Sequence, residues 1–395
     1  MNEASRVALL MSVCYAVALF HRTAFQGIEA DVRGEFGLSA SRSADLSAMF
    51  FWAYFAVMIP VGLLTDAIGA RRAAILGSLV TAAGAWLFGQ AHSAGELALA
   101  RVFIAIGSAA AFVGLMRYVA LAFPDRKATY SGRGILMGNV GAIASGVPLA
   151  WILAQVSWRS VWLALALTSV ALAAGLRFAA PWGERGGATS HGRAPLAELR
   201  ALATSPYVYL GIAIQAGLAG AYYAFGNLIG PRWLAEQGFD RIAVGWEVTL
   251  LVAGYGVGAA FWGWFGDHEH RRTLALSIAT CGALAGWCVV ALVPAAGAVP
   301  ASAVVLACGF CCGAFALVYP LIAERHDKSH AGGVVAFVNC GIPLGAALLQ
   351  SAAGRLPQGV APGLLLAAAG SVAAAGVLLL LFDRRIRLRL ARDPT

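Results

Sequence analysis

The sequence predicts an all-α, polytopic membrane protein with twelve transmembrane helices in two pseudo-symmetric six-helix bundles. Three observations carry that reading. The 395 residues are 60% hydrophobic and 12% charged, with a mean hydropathy of +0.76, whereas an ordinary soluble domain carries about 25% charged residues. Apolar stretches of about 20 residues, the length that crosses roughly 30 Å of hydrocarbon, recur along the whole chain. A charged hairpin, Gly62-Leu-Leu-Thr-Asp66-Ala-Ile-Gly69-Ala-Arg71-Arg72, returns in worn form as Gly263-Trp-Phe-Gly-Asp267-His-Glu-His-Arg271-Arg272, which marks a duplication.

The apolar stretches place spans at 7–27, 46–64, 73–91, 97–122, 134–155 and 160–180, then at 207–230, 246–265, 273–293, 301–323, 332–353 and 358–382. Each is read as a helix because backbone polar groups in lipid must bond within their own segment. The polar stretch between the sixth and seventh spans is rich in Gly and small polar residues, as a linker should be. The predicted organisation is therefore a first bundle over 1–180, a cytoplasmic linker over 181–206, a second bundle over 207–382 and a basic tail over 383–395. The first span is not a removable signal peptide, since it carries His21 and Arg22 and lacks a small-residue cleavage site.

Most Lys and Arg fall in the segments that are cytoplasmic if both termini are inside; only Arg33, Arg42, Arg159, Arg232, Arg241 and Arg355 fall in outer loops. The net charge of +9 is thereby a matter of topology and anionic headgroups, and calls for no nucleic acid. All seven cysteines lie in predicted spans, which excludes a disulfide framework. Cys308-Gly-Phe-Cys311-Cys312 contains CxxC, but with no second Cys or His pair nearby no metal is expected. No nucleophile with a base appears either, so neither an enzyme nor a cofactor is predicted. Ala-rich spans and short loops point to a bacterial inner membrane, and a monomer is expected.

The first hairpin resembles the signature loop of the major facilitator superfamily, GxLxDxxGxxR, matching at Gly62, Leu64, Asp66, Gly69 and Arg72, with Ala67 where an Arg is usual. Arg101-Val-Phe-Ile-Ala-Ile-Gly107 is similar to the family's RxxxGxG opening of the fourth span, and Phe123-Pro124-Asp-Arg126 and Ser157-Trp158-Arg159 resemble its FPxxeR and GWR turns. The resemblance implies the major facilitator fold and alternating access. It also implies gating roles for Asp66, Arg71, Arg72, Asp267, Arg271 and Arg101.

Within that family, Leu19-Phe-His21-Arg22-Thr-Ala-Phe25 resembles the first span of organic-anion and organophosphate carriers, where an Arg grips the substrate's negative charge; the resemblance gives that role to Arg22. A partner Arg of the glycerol-3-phosphate carriers is missing from Tyr222-Tyr-Ala-Phe-Gly-Asn227-Leu-Ile-Gly-Pro231, which favours a smaller or singly charged anion. The fifth span, Gly138 to Pro148, departs from the GPxxGG pattern of drug/proton antiporters.

A charge near the bilayer centre costs about 3 kcal/mol on insertion scales, so it persists where it faces a polar cavity. Arg22 lies several residues inside the first span, with Tyr15 and Gln26 on the same helical face, a stripe expected to line a central cavity; the alternative is an Arg22 that snorkels to outer headgroups. His21 is the one histidine predicted within a span, and is the expected proton carrier of a symporter or else a structural residue. Arg101 and Arg117 are read as structural. All 19 acidic residues are placed in loops or at span ends, nearest the core Asp45, Glu247 and Glu324. An interior with Arg and His and no carboxylate is electropositive and hospitable to anions.

The second half contributes uncharged polar groups, Gln215, Tyr222, Tyr319 and Asn339, as further expected contacts for the substrate. The sequence thus predicts a secondary transporter of a small organic anion, with protons and membrane lipids as its other expected partners. Two other readings share the fold: an exporter of a metabolite, siderophore or drug, and a non-transporting membrane sensor.

Overall fold

The computed structural model describes residues 3–179, 202–267, 271–292, 298–326, 331–357 and 360–392. All the regular structure among them is helical. Among the described residues twelve helices are long and apolar enough to cross a membrane: Glu3–Gly27, Ala40–Ile68, Ala70–Gln90, Ala94–Ala122, Thr129–Leu153 and Trp158–Phe178, followed by Pro206–Glu236, Arg241–Gly266, Arg272–Leu292, Ala301–Ala323, Gly333–Ala353 and Pro362–Asp383. They are called the first to twelfth spans below.

Local sequence explains several starts and stops. The second, fourth and sixth spans begin behind serines whose hydroxyls accept a backbone N–H of the first turn: Ser39 from Arg42 at 3.3 Å, Ser93 from Glu96 at 3.2 Å and Ser157 from Arg159 at 3.3 Å. Such caps satisfy donors the helix itself cannot. At the fourth span Glu96 reaches back to the His92 N–H at 2.8 Å, completing a reciprocal cap. Between the second and third spans Gly69 has φ of +92°, a backbone conformation that side chains bearing a Cβ rarely adopt, and the chain reverses there.

Three details depart from the sequence reading. Residues Glu29–Phe36 form a helix of their own after the first span, where an outer loop was expected. The helix of the twelfth span runs from Val360 to Arg392, so the segment expected as a basic tail from 383 continues the helix. The seventh span contains two π-turns, at Ala216–Gly220 and Phe225–Ile229. The expected linker, 181–206, lies outside the described residues up to 201.

The chain divides into two compact units, one holding residues up to 191 together with 240–249 and the other holding 192–239 and 250–395. In both, small residues fill the helix interfaces while large apolar residues point outward. Gly77 and Gly84 of the third span lie against the fourth, where an added Cβ would fall 2.6 Å from Ala110 and 2.8 Å from Phe103, whereas Trp86 and Leu99 are more than half exposed. In lipid there is no gain in hiding Leu from its surroundings, and close van der Waals approach of backbones does the work instead. The tightest example is Gly141 of the fifth span: a Cβ there would fall 1.9 Å from the Ala16 carbonyl oxygen of the first.

In the first unit rings pack where the third span ends and the sixth begins, with Phe88 stacked on Trp162 at 4.9 Å and edge-on to Trp158 at 5.6 Å. In the second, Phe225 and Trp287 meet at 5.1 Å.

Candidate functional site

In the first unit, Phe50 and Tyr54 of the second span lie one helical turn apart and stack at 5.9 Å with 23° between their planes. The Arg22 guanidinium carbon sits 4.7 Å from the Tyr54 ring centre and 6.0 Å from that of Phe50. Such placement over an aromatic face is worth about 0.5–2 kcal/mol, more when desolvated. Arg22 is half-buried and five residues from the end of its span, roughly 7 Å along the helix axis.

Arg101 also lies near the Phe50 ring. It is 3% exposed, its guanidinium carbon is 5.6 Å from Phe50 and 4.4 Å from Phe25, and its Nη2 donates to the Ser47 carbonyl at 2.8 Å. That guanidinium ties the first, second and fourth spans together.

Tyr15 and Gln26, expected on one stripe with Arg22, have different neighbours. The Tyr15 ring lies 5.1 Å from Phe112 of the fourth span. Gln26 donates through Nε2 to the Ser145 carbonyl at 2.9 Å, and the Ser145 hydroxyl donates to Thr23 Oγ1 at 2.7 Å. These bonds hold the point where the fifth span is interrupted, between Ala144 and Val147. A break frees backbone groups that must find partners in the protein, and Gln26 supplies one.

His21 is 2% exposed, edge-on to Trp162 at 6.3 Å. Neither of its ring nitrogens has a hydrogen-bond partner among the described residues.

On the first hairpin, Asp66 forms an ion pair with Arg117 of the fourth span, a contact the sequence reading, which took Arg117 as structural without naming a partner, did not foresee. Arg71 is 5% exposed and donates to the carbonyls of Leu176 at 2.8 Å and Arg177 at 3.0 Å, closing the C-terminal end of the sixth span. A cation there meets unsatisfied carbonyls and the negative end of the helix dipole. Arg72 is exposed. On the second hairpin Arg271 is exposed, the side chain of Asp267 lies outside the described residues, and Arg272 pairs with Glu324 at 2.6 Å.

The reading of an interior without carboxylates needs correction. Glu29 is 8% exposed and accepts a hydrogen bond from the Ser43 hydroxyl, and Glu247 is 4% exposed, seven residues into the eighth span. Glu29 escaped notice because its segment reads as a loop, and only the added helix folds it inward. Near it, Asp31 pairs with Arg241 at 2.5 Å, and Glu35 takes both Arg159, at 2.5 Å, and the Trp158 indole N–H, at 3.1 Å.

In the second unit the polar positions gather around a stack of rings. Tyr222 lies on Tyr255 at 4.0 Å, Tyr255 on Phe315 at 4.9 Å, and Phe315 meets Tyr319 edge-on at 6.2 Å. The Tyr319 hydroxyl donates to Asn339 Oδ1 at 2.6 Å, and Gln215, fully buried, donates to the Phe315 carbonyl at 3.0 Å. Gln215, Tyr222, Tyr319 and Asn339 therefore belong to one neighbourhood, joined by Tyr255 and Phe315. Among the described residues no group of His, Cys, Asp and Glu is placed to hold a metal ion.

The family model described as Major Facilitator Superfamily matches residues 11–231 and again 214–393. Two solved structures of a bacterial homolog of the human lysosomal transporter Spinster share the fold. The unoccupied inward-facing form has a TM-score of 0.71 at 16% identity, covering 97% of this chain and 95% of that one. The occupied inward-facing form gives 0.72 at 16% identity, covering 99% and 97%. No curated protein matches the sequence.

Proposed function

The chain belongs to the major facilitator superfamily of membrane transporters, and from that premise we propose that it moves a small organic anion across a bacterial inner membrane by alternating access, as a proton symporter. Arg22 carries this reading. It is a permanently charged group five residues inside its span, set over the Tyr54 ring. A guanidinium offers a fork of donors that matches a carboxylate or phosphate.

The buried acids Glu29 and Glu247 weaken the argument from an all-positive interior, so the anion reading rests on Arg22 itself. His21, buried beside Trp162, is the proposed proton carrier. Asp66, Arg71, Arg72, Asp267, Arg271 and Arg101 are the proposed gating set. The protein acts as a monomer with both termini in the cytoplasm. Tyr15, Gln26, Gln215, Tyr222, Tyr319 and Asn339 complete the proposed substrate contacts, orienting more than anchoring.

The test is uptake of a panel of labelled organic anions into proteoliposomes, with and without a proton uncoupler. Accumulation of one anion that collapses with the uncoupler and with Arg22→Ala supports the reading. Uncoupler-insensitive flux removes the coupling, and full flux in Arg22→Ala removes the site.

A further inference from the structure

The second unit holds three buried side-chain amides whose nitrogens are satisfied and whose oxygens are not. Asn227 Nδ2 donates to the Tyr223 carbonyl at 2.9 Å, Gln350 Nε2 donates to the same carbonyl at 3.4 Å, and Gln215 Nε2 donates to the Phe315 carbonyl. Asn227 is 2% exposed and the two glutamines are fully buried. Asn227 Oδ1, Gln350 Oε1 and Gln215 Oε1 have no hydrogen-bond partner among the described residues. Turning the amides over does not cure this, because it would set carbonyl against carbonyl.

The arrangement has a local cause. The π-turn at Phe225–Ile229 lies just past Tyr223 and widens the helical ladder there. The Tyr223 carbonyl is met by two side-chain donors, one from its own helix and one from the eleventh span. Holding two amides on one carbonyl oxygen brings their own oxygens into one neighbourhood. Tyr223, whose carbonyl both amides meet, carries a half-exposed ring that lies edge to face with Tyr222 at 4.9 Å, and Gly226 on the π-turn is half-exposed too.

We infer that the Asn227, Gln350 and Tyr223 cluster is a binding site for a protonated amine. Buried acceptor oxygens left unmet are costly, and a ligand that brings N–H donors removes that cost. Tyrosine faces favour a cation and disfavour an anion. A carboxylate has no donor to offer, and a neutral alcohol offers one O–H and no charge. The site does not depend on Arg22.

Labelled benzylamine, protonated at neutral pH, is the probe, measured by equilibrium binding to the full chain purified in detergent, with benzyl alcohol and benzoate as competitors. Saturable binding is expected, with benzyl alcohol competing at least tenfold more weakly and benzoate not at all. Gln350→Met and Asn227→Leu, which keep side-chain size, should each weaken binding at least tenfold, while Arg22→Ala leaves it intact. The melting temperature of each variant reports whether it is folded, and Gln350→Met serves if Asn227→Leu is not. Absence of saturable binding, equal competition by benzyl alcohol, or unchanged binding in a folded Gln350→Met overturns the site and leaves the oxygens to buried water. Loss of anion uptake in Arg22→Ala is read separately, so either reading can fail alone.

Discussion

The Arg22 guanidinium carbon lies 4.7 Å from the centre of the Tyr54 ring, and both residues are well inside their spans. The ring face attracts the cation and leaves its charge in place, and on the proposed function that charge receives the anion.

Arg22→Ala should therefore abolish uptake of the transported anion, whereas Arg22→Lys should keep a fraction of it, because an ammonium holds the charge and loses the fork. Initial rates in proteoliposomes check both. Wild-type rates in the alanine variant would refute the role.

Tyr54→Leu should raise the half-saturating anion concentration about two- to fivefold, the equivalent of roughly 0.5–1 kcal/mol of lost cation–π stabilisation. Tyr54→Phe retains the ring and should stay within about twofold. Equal effects of the two substitutions would mean that the hydroxyl matters and the ring face does not.

Asp66 and Arg117 join the signature hairpin to the fourth span within one unit. Asp66→Asn and Arg117→Gln should slow transport to a similar degree, and the double variant should be no slower than either, the non-additivity of residues acting as a pair. Strictly multiplicative losses would separate their roles. Since Asp66 is 60% exposed, stability is expected to change by less than about 1 kcal/mol.

Gly141→Val should lower the melting temperature of the detergent-purified protein, because the branched side chain would begin 1.9 Å from the Ala16 carbonyl. Overpacking of this kind costs about 1–3 kcal/mol. An unchanged melting temperature would show that the first and fifth spans can separate freely.

The twelve spans were legible because a hydrocarbon layer demands about 20 apolar residues per crossing, a requirement met locally and independent of which helix packs on which. The duplicated hairpin and the placement of Arg22 inside a span are likewise properties of linear order. Periodicity also put Tyr15, Arg22 and Gln26 on one helical face, yet Gln26 is occupied with the Ser145 carbonyl. No one-dimensional pattern records that the fifth span breaks at that height and exposes a carbonyl.

What composition and spacing determined by themselves is thus a polytopic helical membrane protein with an arginine inside its first span, and the hairpin's resemblance pointed to the superfamily. Tertiary structure decided which charges are spent: Arg71 on the end of the sixth span, Arg101 on Ser47, Asp66 on Arg117, and Glu29 and Glu247 buried where the sequence left them at the edges. It also decided that Asn227 and Gln350, from different helices, share one carbonyl. The physical reason is one of range. Partition into lipid acts on each segment separately, whereas hydrogen bonds and ion pairs are satisfied only by groups within about 3–4 Å, and those arrive from spans distant in sequence.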